Sequence, residues 1–303
     1  MILAVILQIV HLNFFSEIYT SMKEEQIRRI IKKKVDELHR LGKKIDPEFD
    51  EDTIHDFRIT AKTLRAFLRL LRMHFHEPVL KLSGNFKRLY HIAGTIRETH
   101  LELKELSEKK LDLPHYSKKL ETMCQLQKGE WNKYYSENIF KKLETKLCSL
   151  KFTVLHKSVL PEFFETRMVS MRGMIKSIPT EDQVHNVRKQ AKDMIYVSGL
   201  VKKNWKSAST RIKQLPVRML TLLGEVIGDY HDGRVSLEHL SAFSCRTMSK
   251  EEEITIRNIC EEEASILSEE KERITGMIKK FIKTDNNHAI DVTKMELILN
   301  QER

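Results

Sequence analysis

Between Ile54 and Arg72 the chain reads IHDFRITAKTLRAFLRLLR, and from its histidine onward every third or fourth residue is basic: His55, Arg58, Lys62, Arg65, Arg69 and Arg72. At helical spacing these groups share one face, one to a turn. Like charges so placed repel, each pair by about 0.2 to 0.5 kcal/mol, so the row is costly unless an anion lies along it. Arginine offers a planar fork for bidentate phosphate contact, whereas lysine acts as a point charge. Cations about 5 to 6 Å apart suit successive or alternate phosphates of a linear polyanion. Histidine adds a pH dependence, because a phosphate partner favours the imidazolium of a group whose unperturbed pKa is about 6.5. Affinity is therefore expected to rise as pH falls.

The same plan occurs a second time. In VHNVRKQAKDMIY, His185, Arg188 and Lys192 repeat the spacing of His55, Arg58 and Lys62, with Lys189 beside them. Downstream of each histidine lies a second matched element, AGTIRETHLELKEL from Ala93 and IGDYHDGRVSLEHL from Ile227. Gly94 aligns with Gly228, Arg97 with His231, and Glu98 with Asp232. The acids read as groups that orient the cations by ion pairing. The glycines read as points of close helix packing or of a helix break.

These side chains need elements to hold them, and the periodicity is helical nearly everywhere. An all-α chain is expected, with helices at 23–43, 53–76, 78–93, 95–110, 115–150 (interrupted near Gly129), 152–176, 181–204, 214–227, 229–244 and 249–284. Thr53 with Asp56, and Thr180 with Gln183, have the spacing of capping boxes at the starts of the two motif helices. His55 would then lie in the first turn, at the positive end of the dipole. Beside the basic row runs an apolar one, Ile54, Phe57, Ala61, Leu64, Leu68, Leu71 and Phe75, whose burial would hold the cations at the margin of a core. Val184, Val187, Ala191 and Met194 repeat it. The body divides into two related helical halves, 22–150 and 151–285, between an extension at 1–21 and a tail at 286–303.

Composition agrees with a protein that faces polyanions. Of 303 residues, 53 are Lys or Arg and 43 Asp or Glu, a formal charge of +10. The excess is concentrated in the first 245 residues, with 43 basic against 30 acidic groups; the remainder carries 10 against 13. Only 10 glycines and 6 prolines punctuate the chain, so its elements are long. Cys124, Cys148, Cys245 and Cys260 form no metal-ligand pair, which reads as reduced thiols in a cytoplasmic protein. The opening MILAVILQIVHLNFF lacks a basic flank and a cleavage site and is broken by Gln8, His11 and Asn13. It reads as an upstream extension, with a misplaced start as one source; a membrane anchor and an added core helix are the alternatives, and no membrane partner is expected.

The ordered signature His55-x-x-Arg58-Ile59-x-x-Lys62-x-Leu64-Arg65, Gly94-x-x-Arg97-Glu98, His185-x-x-Arg188-Lys189-x-x-Lys192 and Gly228-x-x-His231-Asp232 resembles the CHAD domain, the conserved histidine α-helical domain, over roughly residues 23 to 285. The resemblance implies two helical bundles related by pseudo-two-fold symmetry around a basic central channel. It also implies non-catalytic binding of inorganic polyphosphate and, as in some members, association with polyphosphate granules. The implied contacts are His55, Arg58, Lys62, Arg65 and Arg69 with His185, Arg188, Lys189 and Lys192; Arg97 and the Lys87-Arg88 pair join them. Thr63 and Asp193 depart from the family, which commonly has a second adjacent cation at each position. The second half is poorer in charge, so the first is expected to carry most of the affinity. No cofactor or metal is implied.

Three rivals remain. The His55-Asp56 and His231-Asp232 dipeptides resemble the metal-binding pairs of helical phosphohydrolases, though arginines surround the first. Nucleic acid would satisfy the charge, but few aromatics interleave the basic rows beyond Phe67 and Tyr196. The acidic clusters Glu251-Glu253 and Glu261-Glu263 could also cover a basic channel or bind another protein.

Overall fold

The computed structural model describes residues 21–46, 48–174, 179–205, 217–244, 246 and 248–285. Among the described residues it is all-α: α1 (Glu24–Ile45), α2 (Glu51–Phe75), α3 (Gly84–Glu108), α4 (Pro114–Tyr134), α5 (Glu137–Cys148), α6 (Val159–Met174), α7 (Glu181–Asn204), α8 (Val217–Ser241) and α9 (Lys250–Asp285). An isolated antiparallel bridge between Met22 and Leu155 is the sole extended pairing among them. The extension before residue 21, the tail at 286–303 and Cys245 lie outside the described residues.

The motif helices sit at the centre. α2 packs on α1, α3, α6 and α7, while α7 packs on α2, α6 and α8. The apolar row of α2 is buried from Ile54 to Leu71, with Phe75 half-buried at its end. Thr60, Ala66, Phe67 and Leu70 are buried as well, so α2 is enclosed on more than the one expected face. One continuous apolar core runs from Ile27 of α1 through both motif helices to Ile278 of α9. A smaller cluster joins Leu106, Leu113, Tyr116 and Leu120 to Leu240 and Ile256.

Helix ends follow local chemistry, and several differ from expectation. α2 starts at Glu51 because Asp50, and not Thr53, is the N-cap, its carboxylate accepting from the Thr53 N–H at 2.8 Å. His55 therefore lies a turn deeper than the sequence suggested. The Thr180 capping box is formed: Thr180 Oγ1 accepts from the Gln183 N–H, and Gln183 Oε1 accepts from the Thr180 N–H. No break occurs at Gly94, Gly228 or Gly129. A lone interior glycine costs about 1 kcal/mol, which buried neighbours such as Ala93, Ile96 and Ile227 offset. The interruption falls instead at Tyr135, after which Ser136 caps α5. Residues 79–82 are not helical; α3 begins only after Ser83, whose hydroxyl accepts from the Phe86 N–H. Segment 151–156 is likewise not helical, and Leu155 pairs with Met22.

α4 has an unusual beginning. Its N-cap, Leu113, has no side-chain oxygen, and Pro114 follows. Glu252 of α9, 4% exposed, supplies the acceptor and takes hydrogen bonds from the backbone N–H groups of His115 and Tyr116. One acid of the Glu251–Glu253 cluster thus caps another helix. Glu251, Glu253, Glu261 and Glu262 are exposed.

Candidate anion-binding cleft

Helices α2, α3, α7 and α8 enclose a cavity of about 450 Å³. Arg58 and Lys62 of α2, Arg97, Glu98, Glu102 and Glu105 of α3, Arg188 of α7, and Asp229, His231 and Asp232 of α8 line it; of the acids, Glu102 is engaged by Tyr116 and His239, and Glu105 by Lys109. Both copies of the signature therefore meet in one space, with α9 contributing no lining residue.

The glycines explain how arginines fit beside a packed helix pair. A Cβ at position 94 would run into the Arg58 guanidinium, so the missing side chain is the bed on which that cation lies. At Gly228 a Cβ would come 3.3 Å from Arg188 Nη2, and at Gly224 3.1 Å from Lys192 Cε. Each motif arginine thus lies over the glycine of its partner helix. The halves differ one turn earlier, where the first has Tyr90 and the second Gly224. Tyr90 takes Arg58 over its ring at 4.8 Å and Arg65 at 5.5 Å, while its carbonyl accepts from Arg58 Nη1 at 3.2 Å. Glu98 stands 3.6 Å from Arg58, the orienting ion pair expected of it; Asp232 makes no ion pair among the described residues.

The cations are partly desolvated and under-partnered. Arg65 Nε, Arg97 Nε, Arg188 Nε and His185 Nδ1 are buried without a hydrogen-bond partner, and such groups are costly unless a ligand or water completes them. Lys62 makes no ion pair with the described residues; burial, then Arg58, Arg188, Arg97 and Arg65, lower its pKa to about 7. Burial and Lys189 bring His185 down to about 4, and its ring lies 4.7 Å from that of His231. Burial and Arg97 depress His55; burial and Arg188 depress Lys192 and His231. Burial raises the carboxyl of Glu98 against the pull of Arg58, and that of Asp229 together with Asp232.

Other expected residues sit elsewhere. Arg69 Nη1 lies 2.7 Å from both carboxylate oxygens of Asp193, which is 6% exposed, and Arg167 of α6 stands 3.7 Å away on the other side. The acid that departs from the family signature thus occupies Arg69. Arg88 faces α4, 3.2 Å from Glu130 and stacked over Tyr134. His55, Arg72, Lys87 and Lys189 are exposed and do not line the cavity. Sequence reasoning passed over Tyr90 and Gly224, whose significance appears only when the two halves are aligned one turn before the glycine. Among the described residues no three His, Cys, Asp or Glu side chains converge on a point that could hold a metal ion. None of the described helices is long and apolar enough to cross a membrane.

The all-α fold that carries this cleft is one that known proteins share. The family model of the CHAD domain matches residues 29–241, and the chain belongs to that family. The crystal structure of the CHAD domain from the plant Ricinus communis is similar, with a TM-score of 0.68 at 14% identity, covering 86% of this chain and 92% of that one. No curated protein sequence matches.

Proposed function

We propose that the protein binds inorganic polyphosphate, without catalysis, along a basic channel between two pseudo-symmetric halves, residues 22–150 and 151–285. The observation that carries the reading is the convergence of Arg58, Lys62, Arg97 and Arg188 on one cavity, with arginine N–H groups buried and unpartnered beside it. A phosphate chain supplies acceptors to complete those donors and charge to relieve their repulsion. In this reading Arg58, Lys62, Arg65, Arg97, Arg188 and Lys192 hold the chain, and His185 joins them once protonated. Arg69 serves the Asp193 ion pair, whereas Lys87, Arg88, Arg72, Lys189 and His55 act at most as an outer field that steers the ligand. Family membership and the thiols, free at Cys124, Cys148 and Cys260, support a cytoplasmic, granule-associated binder.

Replacing Arg58, Lys62 and Arg65 together with alanine is expected to abolish polyphosphate binding while the helical circular dichroism persists. Unchanged affinity in that folded variant refutes the site. Competition between long-chain polyphosphate and single-stranded RNA at fixed salt tests the nucleic-acid reading. Tyr90 argues against that reading, since Arg58 and Arg65 already cover its ring and base stacking needs a free aromatic face.

A further inference from the structure

Arg58, Arg65, Arg97 and Arg188 crowd Lys62 from three helices, and arginine does not give up its proton. Lysine does, so within this cluster the repulsion is most readily relieved at Lys62, which lines the cavity without an ion-pair partner among the described residues. The facing groups are Glu98, Glu102 and Glu105 of α3 and Asp229, His231 and Asp232 of α8. Glu98 is engaged by Arg58, and among the described residues no carboxylate reaches Lys62 within ion-pair distance. The second half lacks an equivalent, since Lys192 lies along the bare surface of Gly224 where the first half has the Tyr90 ring.

We infer that Lys62 is a modification site, a nucleophilic lysine that small acyl phosphates acylate in place while Arg58, Arg97 and Arg188 hold their phosphate. The inference rests on the anion-binding reading of the same cleft. In the reaction the nitrogen lone pair forms a bond to the acyl carbon and the bond from that carbon to the phosphate oxygen breaks. Inorganic phosphate leaves on the arginines, and the proton lost by nitrogen passes to water or to a carboxylate of the cavity wall. The product is a neutral amide, which removes one cation from the cleft and weakens its grip on polyanions. Desolvation beside other cations is a recognised way to activate a lysine, in keeping with the pKa of about 7.

At pH 7.5 most of such an amine is neutral, against about one-thousandth of an ordinary lysine. With a Brønsted slope like that of thiolates, lower basicity takes back much of that gain and leaves acylation on the order of tenfold faster. The test treats the full chain with acetyl phosphate and, in parallel, with uncharged N-acetoxysuccinimide, each with and without inorganic pyrophosphate; peptide mass spectrometry follows every lysine. Lys62 is expected to outpace the exposed Lys142 by that factor with both reagents, and pyrophosphate to slow its reaction with acetyl phosphate. Equal rates at the two lysines overturn the inference, as does fast reaction with the uncharged reagent alone, because then no phosphate is held. A polyphosphate titration of the same preparation separates the two readings. Binding with an unreactive Lys62 overturns the modification alone; fast acetyl phosphate labelling without polyphosphate binding overturns the proposed function and leaves the modification standing.

Discussion

Gly94 is the residue at which the two parts of the first motif touch, because its missing side chain is the space the Arg58 guanidinium fills. Gly94→Ala should raise helix stability by about 0.5 to 1 kcal/mol through backbone propensity and still displace Arg58. The expected outcome is an unchanged or higher melting temperature with polyphosphate affinity lowered about tenfold, the worth of one charge-assisted hydrogen bond. Equal affinity in the alanine variant would mean that Arg58 finds another path to the ligand. Protonation belongs to the same scale. In the free protein Lys62 titrates at about 7 and His185 at about 4, both below their ordinary values, and a bound polyanion raises both. Binding therefore takes up protons, Lys62 doing so above about pH 7 and His185 above about pH 4. Affinity falls as pH rises through those windows, by up to about tenfold per proton per unit. Calorimetry at pH 8 in buffers of different ionisation enthalpy should register net proton uptake. On the proposed function the expected pH dependence has the same sign as that argued from the histidines, with Lys62 expected to govern it near neutrality.

At the scale of elements, the two motif helices share an apolar core and are also joined by a charge pair absent from the repeat. Asp193 of α7 joins Arg69 of α2 and stands near Arg167 of α6. Removing one partner of a largely buried pair leaves the other uncompensated, so Asp193→Ala should cost about 2 to 4 kcal/mol, seen as a lower urea midpoint. Arg69→Ala should lower stability while sparing polyphosphate affinity; a large loss of affinity would return Arg69 to the binding surface. α4 depends in a similar way on a distant residue. Glu252→Ala leaves the N–H groups of His115 and Tyr116 without their acceptor and is expected to lower the melting temperature by several degrees, equivalent to about 1 to 3 kcal/mol.

Across the whole molecule, the helical class and the location of most elements were legible because apolar residues recur at 3.6-residue spacing from α1 to α9. The repeated signature marked the helices that meet in the cleft. Its glycines misled the boundaries at 94 and 228: glycine signals both a break and a close approach, and only the partner side chain decides between them. The row of six cations was legible as a row, but not its division of labour, since a helix face says nothing of what stands opposite. The sequence by itself determined the charge, the two-fold repetition and the helices that carry them, because these follow from residue type and local periodicity. The tertiary structure alone decided that Arg58 lies on Gly94, that Asp193 takes Arg69, and that Lys62 stands beside arginines with no ion-pair partner among the described residues. Those outcomes depend on contacts between residues about 30 to 130 positions apart, where burial and charge proximity, and not spacing along one helix, set the energy.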